Sequence, residues 1–358
     1  MEDFRILAIN PGSTSTKIAV FQNTNPLFVK SINHSNEELS GFDRVTDQHA
    51  FRKEIIYREL QLAEMNLSEI RAVVGRGGML KPIPSGVYEV NETMKYDLTH
   101  SKVGDHASNL GGLIAAEIAR SLPNARAFIA DPVVVDELED IARISGHPLF
   151  SRISIFHALN QKAIARQHAK SVMRKYEDMN LIVVHLGGGI TVGAHLKGRV
   201  IDVNNGLDGE GPFSPERSGT LPVGDLARLC FSGKYTEKEI MKMIKGDGGL
   251  FAHLGTNSAY EVEKRAQAGD EQAKFIFEAM AYQVAKAIGS MYPVLRGQVD
   301  AILITGGIAN SKWFVNQIIE RVYRIAPTHV YPGEDEMRAL AMNGLMVLSG
   351  EVEAKVYI

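Results

Sequence analysis

The chain has 358 residues, 45% of them hydrophobic and 23% charged, a balance ordinary for a soluble globular protein and long enough for two domains. A formal charge of −3 and a pI near 6.4 give no electrostatic ground for binding nucleic acid or an anionic membrane, so an anionic ligand must be held by local arrangement. Its single cysteine, Cys230, excludes an internal disulfide and a cysteine-rich zinc site, and in "LARLCFSG" it is expected to be a small buried hydrophobe. No run approaches about 20 uninterrupted apolar residues, and "MEDFRILAIN" lacks a basic n-region and cleavage site, so the expected location is cytoplasmic.

The first elements are two strands in "ILAINPGSTSTKIAVF", running from Ile6 to Phe21. The turn between them holds Gly12, four hydroxyl residues (Ser13, Thr14, Ser15, Thr16) and Lys17. Glycine permits close backbone approach, hydroxyls donate to phosphate oxygens, and lysine adds a neutralising charge. The spacing is neither the GxxxxGK[ST] loop nor the GxGxxG turn. A phosphate clamp is the preferred reading, against a loop that merely satisfies its own backbone.

Further strands are predicted in "AVVGRGG", "AFIADPVVV", "LIVVHLGGGI" and "AILITGGIA". Helical periodicity fills "NLGGLIAAEIARSL", "ALNQKAIARQHAKSVMRKY" and "DEQAKFIFEAMAYQVAKAIGSMYPVL". Strands alternating with longer helices predict an α/β fold with covered sheets. Residues 181–203 repeat the strand, glycine turn, strand pattern of residues 4–21, which suggests a duplicated core.

Two more glycine turns fall at strand ends. Gly187, Gly188 and Gly189 read equally as a bulged turn without ligand or as a phosphate contact. Gly306 and Gly307 precede a helix expected from Ser311, and can pass beneath a nucleotide's ring or α-phosphate or simply pack strand against helix. Three such turns fit a nucleotide lying in a cleft between two domains. Arg76 in "GRGG" and Arg217 in "PERSG" are each ordinary surface arginines if taken alone. Taken together they suit phosphoryl transfer, where guanidinium forks stabilise charge on equatorial oxygens.

"INPGSTSTK", "HLGGGITV" and "TGGIANS", in this order and spacing, resemble the acetate and sugar kinase, heat-shock chaperone and actin superfamily. Within it the chain resembles the acetokinase family over essentially its whole length. "VVGRGGMLKPIPSGVYEVNETMKYDL", "HASNLGG", "DPVVVDEL", "SIFHALNQKAIAR" and "GPFSPERSGTLPVGDL" carry that likeness. The resemblance implies two similar α/β domains with a duplicated actin-like/ribonuclease H-like ATPase core and an interdomain cleft. The expected domains are residues 1–152 plus 334–358, and residues 153–333.

The implied reaction is reversible phosphoryl transfer between ATP/ADP and a short carboxylate, with Mg2+. Expected partners are the carboxylate, the nucleotide and further copies of the chain in a homo-oligomer, with no nucleic acid and no membrane. Arg217 matches the family's arginine before Ser-Gly, and Arg76 matches a second arginine less closely, because it directly precedes Gly77-Gly78. His157 matches a histidine that orients the phosphoryl group, although a helix-capping role is open to it. His185 matches a structural or nucleotide-positioning histidine. Asp131 matches a strand-end aspartate at the carboxylate and metal site, and Asn10 an asparagine where related kinases carry aspartate. In "YPGEDEMRAL" the metal side falls to Glu336 in preference to Glu334. Gly12, Ser13, Ser15, Lys17, His185, Gly187, Gly188, Gly189, Gly306, Gly307 and Ile308 are the expected nucleotide contacts.

Three departures favour butyrate over acetate as the acid: Gly188 stands in place of asparagine, Thr220 in place of an acid, and "HASN" is one residue shorter. Phe156, beside His157, is the candidate apolar wall for the longer acid, or else ordinary core. A rival of another class is an ATP-gated binding protein on the same fold.

Overall fold

The computed structural model describes residues 3–101 and 106–358. Its strands form where β-branched and apolar residues run unbroken, because such residues fit a pleated surface buried on both faces. The first sheet contains β1 (Arg5–Pro11), β2 (Ser15–Gln22), β3 (Asn25–Asn33), β4 (Ile70–Arg76), β5 (Val87–Glu89), β6 (Arg126–Ala130) and, far along the chain, β12 (Lys355–Val356). Its order is β12-β5-β6-β4-β1-β2-β3. The second sheet contains β7 (Asn180–Leu186), β8 (Ile190–Leu196), β9 (Arg199–Val203), β10 (Ala301–Gly306) and β11 (Thr328–Pro332), in the order β11-β10-β7-β8-β9.

The two orders reveal the duplication. β1, β2 and β3 form an antiparallel meander, while β4 and then β6 add parallel to its first strand. β7, β8 and β9 form the same meander, and β10 and then β11 add in parallel in the same way. The helices expected in "NLGGLIAAEIARSL", "ALNQKAIARQHAKSVMRKY" and "DEQAKFIFEAMAYQVAKAIGSMYPVL" form over Asn109–Ser121, Ala158–Ser171 and Glu271–Val294; the second stops short of the expected Tyr176, the chain turning at Met173 with φ +55°.

Alternation along the strands sorts side chains between two cores in each unit. Ile182 and Val184 face the helices Glu271–Val294 and Lys312–Val322, whereas Leu181 and Val183 face Ala165 and Ala169 of the helix Ala158–Ser171. In the first sheet Leu7, Ile9 and Val73 pack with Ile114 and Ile118 of the helix Asn109–Ser121. The helix Glu336–Leu348 covers the opposite face, where Gly344 comes close to Ile6 and Val74. Gly75 and Gly111 are required by the approach on the first face: a Cβ on Gly75 would lie 2.1 Å from the Gly111 carbonyl oxygen. That contact seats the helix directly beside Arg76, the last residue of β4.

The chain divides into one unit of Met1–Val135 with Asp335–Ile358 and a second of Asp136–Glu334. The first boundary therefore falls at Val135, not at 152. Residues 136–152 are tied into the second unit by ion pairs: Glu137 with Lys162 at 2.6 Å, and Arg152 with Asp202 at 2.9 Å. Cys230 also departs from expectation. It is exposed at the end of the helix Val223–Cys230, none of whose residues is buried. Among the described residues no helix is long and apolar enough to cross a membrane.

Candidate active site

In the first unit the carboxyl ends of three neighbouring strands deliver the candidate residues, the edge at which open α/β sheets usually bind ligands. Asn10 lies at the end of β1, Arg76 at the end of β4, and Asp131 just beyond β6. Asn10 Nδ2 donates to Glu336 Oε2, and Arg76 Nη1 pairs with Glu336 Oε1 at 3.1 Å and reaches Asn10 Oδ1 at 3.4 Å. Glu336 opens the helix Glu336–Leu348, so its carboxylate gains from the helix N-terminus as well. Glu334 belongs elsewhere, facing His185 in the second unit at 3.2 Å.

Asp131 is 1% exposed and sits at φ +37°, the left-handed region that aspartate tolerates better than most residues. Its Oδ1 accepts from Ser85 Oγ at 2.6 Å and from the Gly86 amide at 2.9 Å, fixing the turn at the end of β6. Among the described residues no three His, Cys, Asp or Glu side chains are gathered as for a metal ion.

The Gly12 turn is closed by its own amide donating to the Ser15 carbonyl at 2.7 Å. Ser13, Thr14 and Lys17 are exposed and Ser15 is half-buried, whereas Thr16 is fully buried and bonded to His34 Nε2 at 2.8 Å. Lys17 stands opposite Asn10 in the ladder, so the two side chains share a face. Behind the turn lies Arg52, 0% exposed. Its guanidinium donates to the carbonyls of Gly12, Ser13 and Ser15, to Thr16 Oγ1 and to Gln48 Oε1. Lost hydration pulls its pKa down to about 10. Sequence reasoning missed this residue. The available signal was a charged side chain on the stripe it shares with Ile55, Ile56 and Leu60 in the helix His49–Leu62.

In the second unit Gly187, Gly188 and Gly189 join β7 to β8 as a hairpin turn, with the Gly187 amide donating to the Gly189 carbonyl at 3.0 Å. A Cβ on Gly189 would lie 1.7 Å from Arg217 Nη1, and one on Gly187 would meet His185 and Glu334 within 2.9 Å. These glycines thus make room for the candidate side chains themselves. Gly188 has open space around its Cβ position except for Glu216 at 3.8 Å, and Ser214 Oγ holds its carbonyl at 2.7 Å.

Arg217 is half-buried beside this turn. Among the described residues its guanidinium has one hydrogen-bond acceptor, the Gly206 carbonyl. Burial lowers its pKa, and the charges of Glu216 and Asp208 offset part of that. His157 and His185 stack with centroids 3.8 Å apart and planes 12° from parallel. His157 precedes the helix Ala158–Ser171, but its ring does not cap it. Nδ1 instead meets Thr191 Oγ1 at 3.0 Å. His185 Nδ1 meets Asn160 Oδ1 at 2.8 Å.

Gly306 is required by backbone packing: it has φ +98°, and a Cβ would lie 2.3 Å from the Leu186 carbonyl oxygen. Gly307 is exposed with nothing near its Cβ position, and Ile308 beside it is 8% exposed. The expected helix starts where predicted, with Ser311 Oγ accepting from the Phe314 amide at 3.1 Å.

Glycine turns lie at strand ends in both duplicated sheets, with Asn10, Arg76 and Glu336 in the first unit and Arg217, His157 and His185 in the second. The Acetokinase family matches residues 150–331. Butyrate kinase 2 of Clostridium acetobutylicum is 57% identical over 354 residues, covering 99% of each chain. The chain belongs to the acetokinase family. The fold of this acetokinase-family protein is shared with Porphyromonas gingivalis acetate kinase, at TM-score 0.80 and 18% identity over 96% of this chain and 100% of that one. A propionate kinase from Francisella tularensis follows the same fold at TM-score 0.76 and 21% identity, over 95% and 98% of the two chains.

Proposed function

We propose that this acetokinase-family chain transfers the γ-phosphoryl group of ATP reversibly to butyrate, giving butyryl phosphate and ADP. The observation that carries the reading is 57% identity, along 99% of both chains, to a relative named butyrate kinase 2. A carboxylate is ionised near neutral pH and attacks the γ-phosphorus without a general base. The bond from that phosphorus to the bridging oxygen breaks, and its electron pair leaves on ADP.

Arg217 and Arg76 hold the equatorial oxygens, His157 donates to one of them, and Asn10 orients the group. Arg217 is the best supported of these, because a half-buried guanidinium with a single acceptor among the described residues has donors left for an anion. Gly12, Ser13, Ser15 and Lys17 hold the distal phosphates, Gly187, Gly188 and Gly189 the opposite side, and Gly307 with Ile308 the adenosine.

Mg2+ suits the donor chemistry of the first unit, since it usually takes one or two carboxylates plus phosphate oxygens and waters. Glu336 would hold it, and Asp131 is the second candidate although Oδ1 already accepts two bonds. When bound, the ion neutralises charge on the phosphate chain.

An assay coupling ADP formation to a panel of straight and branched acids, with hydroxylamine trapping the acyl phosphate, tests the reading. Butyrate should be among the best acids. Acetate or propionate as the best substrate would move the assignment within the family, and ATP hydrolysis without trapped acyl phosphate would remove it.

A further inference from the structure

Behind His157 runs a line of buried polar side chains that the reaction itself does not require. Tyr176 OH meets His195 Nδ1 at 2.7 Å, and His195 Nε2 meets Gln161 Oε1 at 2.9 Å. Gln161 Nε2 reaches the Thr191 carbonyl at 3.2 Å and Thr191 Oγ1 at 2.9 Å. Thr191 Oγ1 then meets His157 Nδ1 at 3.0 Å. Gln161, Thr191 and His195 are all 0% exposed and Tyr176 is 4% exposed, so water does not compete for these groups.

Local structure explains the alignment. Thr191 and His195 are four apart on β8 and share one face, while Gln161 is four residues beyond His157. Gly193 between them leaves space, since a Cβ there would lie 2.6 Å from Gln161 Oε1.

The proton positions follow from donor and acceptor chemistry. The Thr191 carbonyl can only accept, so the Gln161 NH2 group faces it and Oε1 faces His195. His195 Nε2 therefore carries a proton. Burial, reinforced by the charges of Lys162 and Arg166, holds His195 well below the usual histidine pKa, so the ring is neutral. Its Nδ1 then accepts from Tyr176. At the other end Thr191 Oγ1 accepts from Gln161, and its single hydroxyl proton is directed at its remaining partner among the described residues, His157 Nδ1. An Nδ1–H on His157 would meet that proton head-on.

We propose that Thr191, oriented by Gln161, fixes His157 as the neutral tautomer with its proton on Nε2, the nitrogen that donates to the transferring phosphoryl group. Thr191 and Gln161 are thus positioning residues. The last clause rests on the phosphoryl-transfer reading, whereas the tautomer does not.

The test combines spectroscopy and kinetics. In 15N-histidine-labelled protein, with the His157 signals assigned by their loss in His157→Gln, the wild type should show proton-bearing Nε2 and unprotonated Nδ1. Thr191→Val, close in shape, should shift His157 toward the other tautomer and lower kcat about 10-fold or more with little change in KM for ATP. Thr191→Ser, which restores the hydroxyl, should recover the tautomer and most of the lost turnover. An Nδ1–H or doubly protonated His157 in the wild type at neutral pH overturns the proposal, whatever Thr191→Val does to folding. So does a Thr191→Val enzyme with an unchanged tautomer. A wild type with the expected tautomer but no acyl phosphate formation would remove the functional reading and leave the relay intact.

Discussion

Arg52 behind the Gly12 turn and Arg217 beside the Gly187–Gly189 turn are both guanidiniums withdrawn from water, and burial lowers the pKa of each. Their surroundings differ. Arg52 has five protein acceptors, three of them carbonyls of the turn it supports. Arg217 has one among the described residues, and its Nη1 occupies the space where a Cβ of residue 189 would stand. A saturated arginine is a brace. An arginine with donors left over has hydrogen bonds to offer an anion. Each of the duplicated hairpin turns therefore has an arginine against it, one with its donors filled and one, among the described residues, with donors left.

The sharpest way to break this contrast is Arg217→Ala. Turnover should fall about 100-fold or more while the nucleotide dissociation constant stays close to wild type, because the contact matters most in the transition state. Near-normal turnover with a large loss of ATP affinity would put Arg217 on the nucleotide instead.

Arg52→Ala should act on folding first. Removing the guanidinium leaves several buried carbonyls without donors, and a loss of about 3 kcal/mol is expected in urea unfolding. Arg217→Ala should leave the same midpoint nearly unchanged. Equal stability losses in the two variants would show that both arginines are braces.

Selectivity for the acid is a smaller effect, and neither Arg76 nor Arg217 can supply it, since acetate and butyrate share the same charged end. Each buried methylene is worth about 0.8 kcal/mol, so a pocket enclosing both extra methylenes favours butyrate about 10-fold. Specificity constants should rise from acetate to butyrate and then flatten. Phe156, 3% exposed, directly precedes His157, and Phe156→Leu tests whether it serves as wall or only as core. A butyrate-to-acetate ratio unchanged by that substitution would assign it to the core.

The smallest effect concerns two buried histidines, His34 beside the Gly12 turn and His195 on β8. His34 is held below the usual value of 6.5 by burial and then by Arg52, and His195 well below it by burial. The unfolded chain therefore takes up these protons first. Their contribution to stability is complete above about pH 6.5 and is lost as pH falls from there toward the folded-state values, by up to about 1.4 kcal/mol per pH unit for each group. His34→Gln should flatten this slope in denaturant unfolding between pH 6.5 and 5.5. An unaltered slope would mean that His34 charges freely in the folded state.

Much of the architecture was legible in the residues. Apolar runs ending in glycine announced β1, β4, β7 and β10, and the repeated strand–turn–strand pattern announced the duplication that the two sheet orders display. Asn10, Arg76 and Glu336 were chosen separately along the chain and meet within hydrogen-bond reach. Cys230 was misread because "LARLCFSG" is apolar enough to be core, and only the tertiary structure reveals that no residue of this helix is buried.

Local sequence determines periodicity, turns and the chemistry available at each strand end, because these depend on neighbours one to four residues away. It therefore determined the two strand–turn–strand hairpins, the glycine turns and the family likeness. What it could not determine were interactions between residues distant along the chain. Arg52 reaches a turn 36 to 40 residues earlier, and Gln161 finds Thr191 and His195 30 and 34 residues later. Whether an arginine is a brace or an anion site, and which nitrogen of a histidine holds the proton, depends on the acceptors that folding brings near it. Those partners exist only once the sheets and helices have packed, so the tertiary structure alone decided them.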